Sequence, residues 1–217
     1  MGKLSNQELR ESMLLYAVTD SAWLDGRTLP SCVEQAIEGG ATFVQLREKN
    51  APFERVVELG RKILPICHAA GVPFVVDDDV DAAIAIGADG VHVGQDDMAC
   101  ASARTALGPD AIIGVSAQTV EQALCAQADG ADYLGVGALI PTPTKPEAVD
   151  VTFDELARIC AAVDIPVVGI GGLNAKTIPQ FEGSGADGAA VVSAIFASDD
   201  CCKAARELRD VCERTFR

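Results

Sequence analysis

Short apolar runs alternate with longer amphipathic stretches along almost the whole chain, and a polar or glycine-rich break closes each run. The central stretch, residues 74–97, shows the pattern most clearly. Phe74-Val75-Val76 stops at three carboxylates, Asp77, Asp78 and Asp79. An alanine-rich helical segment follows and turns at Gly87-Ala88-Asp89-Gly90, and Val91-His92-Val93 then stops at Gly94-Gln95-Asp96-Asp97. A strand buried on both faces reads as a short continuous apolar run, and the helix that returns the chain needs a turn at each end. The stretch therefore predicts strand, helix, strand, with carboxylates at the carboxyl ends of both strands. In parallel α/β folds that edge binds ligands. Two acidic strand ends side by side suit a hard cation such as Mg²⁺, held together with a phosphate.

The same alternation places further strands at residues 14–19, 42–46, 111–115, 133–139, 166–170 and 188–193. Helices are expected from Ser31, as cap, to Glu38, from Pro52 to about Ala70, and over 98–107. Others are expected from Thr119 to Gly130, over 152–163 and 174–181, and from about Ser198 onward, while residues 1–13 form a short helix or a loose arm. Eight strand-helix units at regular spacing predict a parallel sheet that closes into a (β/α)8 TIM barrel, read as one domain over residues 1–217. A Gly-Ala-Asp turn recurs before strands at Gly87, Gly130 and Gly185, a helix-to-strand turn reused on the face away from the ligands.

Composition narrows the function classes. Seventeen basic residues against thirty-two acidic ones give a net charge of −15, which opposes binding to nucleic acid or to an anionic membrane. Arg and Lys gathered locally against that field therefore point to an anionic small-molecule substrate. No apolar stretch reaches the roughly 18 residues needed to cross a bilayer, and the polar start of the chain has no apolar signal core. A cytoplasmic protein is expected, with a homo-oligomer left open. The eight cysteines include no CxxC pair and fall mostly in helical patterns, so they read as small buried hydrophobes, with adjacent Cys201-Cys202 as the pair to watch for oxidation.

The carboxyl ends of the strands collect the unusual residues: Gln45, Leu46, Arg47, Glu48 and Lys49; Asp77 to Asp79; Gln95 to Asp97; Ser116; Thr142, Pro143, Thr144 and Lys145; Gly171-Gly172; and Ser193. Arg offers a planar fork to phosphate oxygens and Lys a compact charge. Gly171-Gly172 and the Val192-Ser193 amides form a candidate phosphate nest. Singly, each feature has a plainer reading: an acidic triplet suits a helix amino terminus, and GIGG suits any strand-to-helix turn. His92, inside an apolar run, and His68, late in a helix, read as structural.

The segments QLREK, DDD, GADGVHVGQDD, GVSAQT, ADYLGVGALIPTPTK, PVVGIGG and VVSAI, in this order, resemble the thiamine phosphate synthase family over residues 14–199 or so. The TxTK and GQxD segments carry most of the likeness. The resemblance implies a transferase that couples 4-amino-5-hydroxymethyl-2-methylpyrimidine diphosphate to 4-methyl-5-(2-phosphooxyethyl)thiazole and releases pyrophosphate. It implies Gln45, Leu46, Arg47, Glu48 and Lys49 on the pyrimidine diphosphate, Asp78 and Asp97 as Mg²⁺ ligands, Ser116 near the pyrimidine and its leaving group, and Lys145 on the diphosphate. Thr142, Pro143, Thr144, Gly171, Val192 and Ser193 would then hold the thiazole phosphate. The chain departs from the family at Asp77, where Asn is usual; an Asp accepts a hydrogen bond from the pyrimidine amino group but donates none to phosphate.

The implied reaction loses diphosphate first and needs no nucleophilic side chain; leaving-group charge falls to Mg²⁺, Arg47, Lys49 and Lys145. The lack of an evident Cys-His or Ser-His pair on the rim agrees with that. Three other readings stand beside it. The related thiazole tautomerase needs a catalytic His on the rim. A non-catalytic phosphate-binding module would keep the pockets alone. A phosphate-handling isomerase or aldolase would place a base or a Schiff-base Lys in a strand end.

Overall fold

A computed structural model describes residues 4–140 and 151–217. The eight apolar runs form eight parallel strands, each hydrogen-bonded to its sequence neighbours, with the last closing onto the first. They are β1 (Leu15–Val18), β2 (Phe43–Leu46), β3 (Phe74–Asp77), β4 (Gly90–Val93), β5 (Ile112–Ala117), β6 (Tyr133–Val136), β7 (Val167–Ile170) and β8 (Gly188–Val191). The helices are α1 (Asn6–Ser12), α2 (Leu29–Glu38), α3 (Phe53–Ala69), α4 (Val80–Ile86), α5 (Cys100–Leu107), α6 (Val120–Ala128), α7 (Phe153–Ala162), α8 (Ser193–Phe196) and α9 (Cys201–Phe216). The barrel is the (β/α)8 architecture that the alternation predicts.

Two local expectations are corrected. Thr28, not Ser31, caps α2, its side chain accepting from Ser31 N–H at 3.4 Å. Pro30 is suited to a first helical turn, so the cap falls before it. Between β7 and β8 the expected helix over 174–181 shrinks to a 3-10 turn, Ile178–Phe181. There the Asn174 side chain accepts from Lys176 N–H, the Thr177 hydroxyl oxygen accepts from Asn174 N–H, and Pro179 has no N–H to give. Local bonds have displaced the helix ladder.

Side chains alternate strictly between two cores. Tyr16, Val18, Phe43, Val75, Ile112, Tyr133, Val168 and Ala190 fill the barrel, while Leu15, Ala17, Val44, Leu46, Val76 and their counterparts pack outward under the helices. Leu9 and Met13 join the inner cluster, so the N-terminal segment is a helix that plugs the barrel's amino-terminal end. Its start is fixed by a capping box between Ser5 and Glu8.

That end is tied by one bond pattern used four times. The N–H groups of Leu15, Phe74, Ile113 and Val167, at the start of the odd strands, donate to Thr42 Oγ1, Asp89 Oδ2, Asp132 Oδ2 and Asp187 Oδ2, just before the even strands, at 2.9, 2.9, 2.7 and 2.8 Å. Each of those four residues returns its own N–H to the same partner's carbonyl. His68, Arg104 and Arg10 pair with the three carboxylates. The recurrent Gly-Ala-Asp turn is therefore a strand clamp, remote from the opposite rim. Among the described residues no helix is long and apolar enough to cross a membrane.

Candidate active site

The carboxyl ends of the strands surround a cavity of about 410 Å³. Its wall is set by the inward half of each strand's alternation. Gln45, Arg47 and Lys49 reach it from β2, Asp77 and Asp78 from β3, His92 from β4, Ser116 from β5, and Val192-Ser193 from beyond β8. Gly94, Gln95, Asp96 and Asp97 form the loop after β4, and Gly171-Gly172 the turn after β7. Ten of the residues expected from the sequence to hold substrate or metal thus converge: Gln45, Arg47, Lys49, Asp77, Asp78, Asp97, Ser116, Gly171, Val192 and Ser193.

Two others are turned away. Leu46 is buried in the outer core, and Glu48 accepts a 2.7 Å hydrogen bond from Ser21 Oγ in the loop after β1. Burial there raises the Glu48 carboxyl above its ordinary value, partly offset by the Ser21 bond. Period two explains the split, since Gln45, Arg47 and Lys49 share one face and Leu46 and Glu48 the other. Thr142, Pro143, Thr144 and Lys145 lie outside the described residues.

The acidic triplet does not continue as a strand. Asp78 adopts φ +60°, a left-handed conformation that Asp tolerates better than most residues, and its N–H donates to His92 O at 2.8 Å. The turn brings Asp77 and Asp78 to the cavity together, whereas alternation alone would have opposed them. Asp79 instead caps α4, accepting from Ala82 N–H at 2.8 Å. Asp77 pairs with Arg47 of the neighbouring strand (Nε to Oδ2, 3.4 Å), both side chains largely buried. Asp97 Oδ2 accepts from Gly94 N–H at 2.7 Å, folding the GQDD loop back on itself.

Gly171 and Gly172 have positive φ (+103° and +63°), and a Cβ on either would approach Ala138 Cα to 2.7 Å or Ile140 Cβ to 2.8 Å. Glycine is needed here for the turn and for the close passage of the chain after β6.

His92 is the residue the sequence reading misplaced. It lines the cavity, its Nε2 3.0 Å from Ser116 Oγ and its Nδ1 3.0 Å from Tyr133 Oη. A Ser-His pair therefore exists on the rim, contrary to expectation. Tyr133 Oη lies 2.7 Å from Tyr16 Oη, which accepts from Gln45 Nε2 at 3.0 Å. Burial pushes both phenols well above their ordinary pKa, so both are neutral hydroxyls. The signal lay in the neighbours: Gly114 and Gly135 leave open the space that the imidazole fills. A Cβ at Gly114 would stand 2.5 Å from Nδ1, and one at Gly135 3.0 Å from Cε1. His68, by contrast, serves the clamp at the other end, as its structural reading anticipated.

A profile of the thiamine monophosphate synthase family matches residues 15–195. The chain belongs to that family. It is 48% identical over 196 residues to thiamine-phosphate synthase of Chloroflexus aurantiacus, covering 90% of each chain. It is 45% identical over 194 residues to that of Clostridium tetani, covering 89% of this chain and 93% of the relative. The solved thiamine phosphate pyrophosphorylase of Pyrococcus furiosus superposes with a TM-score of 0.89 at 39% identity, over 96% of this chain and 100% of the other. A 3-hexulose-6-phosphate synthase shares the fold at 21% identity, with a TM-score of 0.64. Membership of the thiamine monophosphate synthase family makes the chain an enzyme of the transferase class.

Among the described residues no group of three or more His, Cys, Asp or Glu is placed to hold a metal ion by itself. Asp78 and Asp97, both on the cavity wall, supply two hard carboxylates. Mg²⁺ is commonly held by one or two carboxylates together with substrate phosphates and water, so this donor set fits a metal that arrives with a diphosphate.

Proposed function

We propose that the enzyme joins 4-amino-5-hydroxymethyl-2-methylpyrimidine diphosphate to 4-methyl-5-(2-phosphooxyethyl)thiazole and releases pyrophosphate. The observation that carries the reading is the grouping of Arg47 and Lys49 with Asp78 and Asp97 on one wall of a single cavity, in a chain of net charge −15. Cations collected against such a field serve an anion, and the carboxylates beside them suit its Mg²⁺.

In this reading Arg47, Lys49 and Lys145 hold the diphosphate and stabilise the charge that develops as it departs. Asp78 and Asp97 would hold Mg²⁺, which would supply Lewis-acid neutralisation of the diphosphate charge. Gly171, Val192 and Ser193, with Thr142, Pro143 and Thr144, hold the thiazole phosphate so that the ring nitrogen faces the pyrimidine methylene. The C–O bond to diphosphate breaks, its electron pair leaves with the oxygen, and the thiazole nitrogen pair forms the new C–N bond. Localisation in the cytoplasm belongs to the same proposal.

The test is product formation from the two substrates with Mg²⁺ and with EDTA. Metal-dependent thiamine phosphate is expected, and Lys145→Ala is expected to lower turnover at least tenfold. Tight, Mg²⁺-dependent binding without product would favour a binding module instead. The position of His92 on the cavity wall gives the tautomerase reading one specific support, and conversion of thiazole phosphate tautomers in the absence of the pyrimidine would establish it.

A further inference from the structure

The Ser116–His92 pair looks at first like an activated nucleophile, because a serine hydroxyl 3.0 Å from an imidazole nitrogen is the arrangement in which His acts as base. In a Ser-His-Asp triad, however, a carboxylate accepts from Nδ1–H and so leaves Nε2 bare to take the serine proton. Here a phenol, Tyr133 Oη, lies 3.0 Å from Nδ1.

The direction of the bonds follows from the far end of the chain of contacts. Gln45 presents its amide nitrogen, a donor, to Tyr16 Oη. Among the described residues the Tyr16 hydroxyl has one other partner, Tyr133 Oη, so its proton is placed in that bond. The Tyr133 proton then goes to His92 Nδ1, and the remaining imidazole proton sits on Nε2, directed at Ser116 Oγ. Within the series Tyr16, Tyr133 and the His92 ring each accept from one neighbour and donate to the next. Tyr16 and Tyr133 are 2% and 0% exposed, so water does not break the order. The imidazole lies against Gly114 and Gly135, where a Cβ would crowd it.

We propose that Gln45, Tyr16 and Tyr133 act as a buried relay that keeps the proton of His92 on Nε2, so that Ser116 donates its own proton into the cavity. Ser116 is then no nucleophile but a fixed hydrogen-bond donor for an acceptor oxygen of the bound pyrimidine diphosphate. His92, Tyr133 and Tyr16 are positioning residues that act through it. The choice of acceptor rests on the function proposed above; the direction of the relay does not.

The chain contains two histidines, so the tautomer can be read directly. In ¹⁵N-histidine-labelled enzyme without substrates, long-range ¹H–¹⁵N correlation assigns protons to each ring nitrogen, with His68→Gln identifying the second ring. A His92 ring protonated at Nε2 and bare at Nδ1 is expected. A proton on Nδ1 would overturn the relay, because His92 could then not accept from Tyr133. This reading needs no turnover, so its failure and that of the synthase reading are distinguishable.

Two kinetic measurements follow on active enzyme. Tyr133→Phe removes one hydroxyl and is expected to lower kcat about tenfold with the thiazole phosphate KM unchanged. Adding it to Ser116→Ala is expected to cost nothing further, since both act through one hydroxyl; independent, multiplying losses would overturn the coupling. Intact mass measurement after incubation with the pyrimidine diphosphate alone should show no covalent adduct, and an adduct on Ser116 would make it the nucleophile after all.

Discussion

Replacing Asp77 by Asn removes one negative charge from the cavity wall proposed to receive the diphosphate. In the structure the Asp77 carboxylate is 3.4 Å from Arg47 Nε, with 18% and 12% of the two side chains exposed. At an effective dielectric near 20, Coulomb attraction at that distance is about 5 kcal/mol before desolvation is subtracted. A charge-assisted contact typically retains roughly 1.5 to 3 kcal/mol after it. An incoming diphosphate must compete with Asp77 for Arg47 and also meets its repulsion. Asp77→Asn keeps the shape and the acceptor oxygen while relieving both. If about 1.4 kcal/mol of the retained energy is recovered, binding tightens by a factor of about ten.

The assay is calorimetric titration of both forms with pyrophosphate at saturating Mg²⁺, paired with steady-state kinetics. The variant should bind pyrophosphate about tenfold more tightly and show a lower KM for the pyrimidine diphosphate. Its KM for the thiazole phosphate should not change. Weaker pyrophosphate binding in the variant would refute the reasoning, because it would mean that Asp77 serves the metal and does not compete for Arg47.

Three further outcomes are expected. Asp187→Ala leaves Val167 N–H unpaired and breaks the Arg10 contact, at a cost of about 1 to 3 kcal/mol, so Tm should fall by roughly 3 to 10 °C while activity per folded molecule is unchanged. Glu48 has a raised folded-state pKa, so its ionisation costs native stability; that cost is fully present above the folded pKa and vanishes below the unfolded one. Glu48→Gln should therefore raise Tm at pH 7 to 8, with the gain fading as the pH falls below the ordinary carboxylate value; a gain that grew on acidification would reverse the assignment. Burial pushes the thiols of Cys67, Cys160 and Cys212 up to about 12, and Cys125 is exposed. A disulfide reagent at pH 8 should label Cys125 first and the five buried cysteines only after unfolding, and native labelling of all eight would contradict the packing.

Much of the site was readable from the chain because strand alternation is a local rule. Gln45, Arg47 and Lys49 fall on one face by counting in twos, and the same count assigns Leu46 to the outer core and Glu48 to the outward face. The carboxylates ending β3 and β4 declared themselves by interrupting apolar runs, and Gly171-Gly172 by standing where a turn and a close backbone passage coincide. Counting failed at Asp78, where one left-handed residue ends the strand and brings two neighbouring carboxylates to the same cavity. It failed again over residues 174–181, where side-chain bonds from Asn174 and Thr177 replaced the expected helix.

His92 marks the division between the two sources of information. The sequence by itself determined eight alternating units, hence a closed parallel barrel, and the rim that carries the candidate site, because hydrophobic period and turn residues act over a few positions. Only the tertiary structure decided what His92 touches. Its partners Ser116, Tyr133, Tyr16 and Gln45 come from four other strands, and their meeting depends on the register that sets His92 opposite Gly114 and Ser116 opposite Gly135. Register is a property of closure, since one residue of slip in a single strand would turn every one of its side chains to the other face. Nothing within a few residues of His92 carries that information.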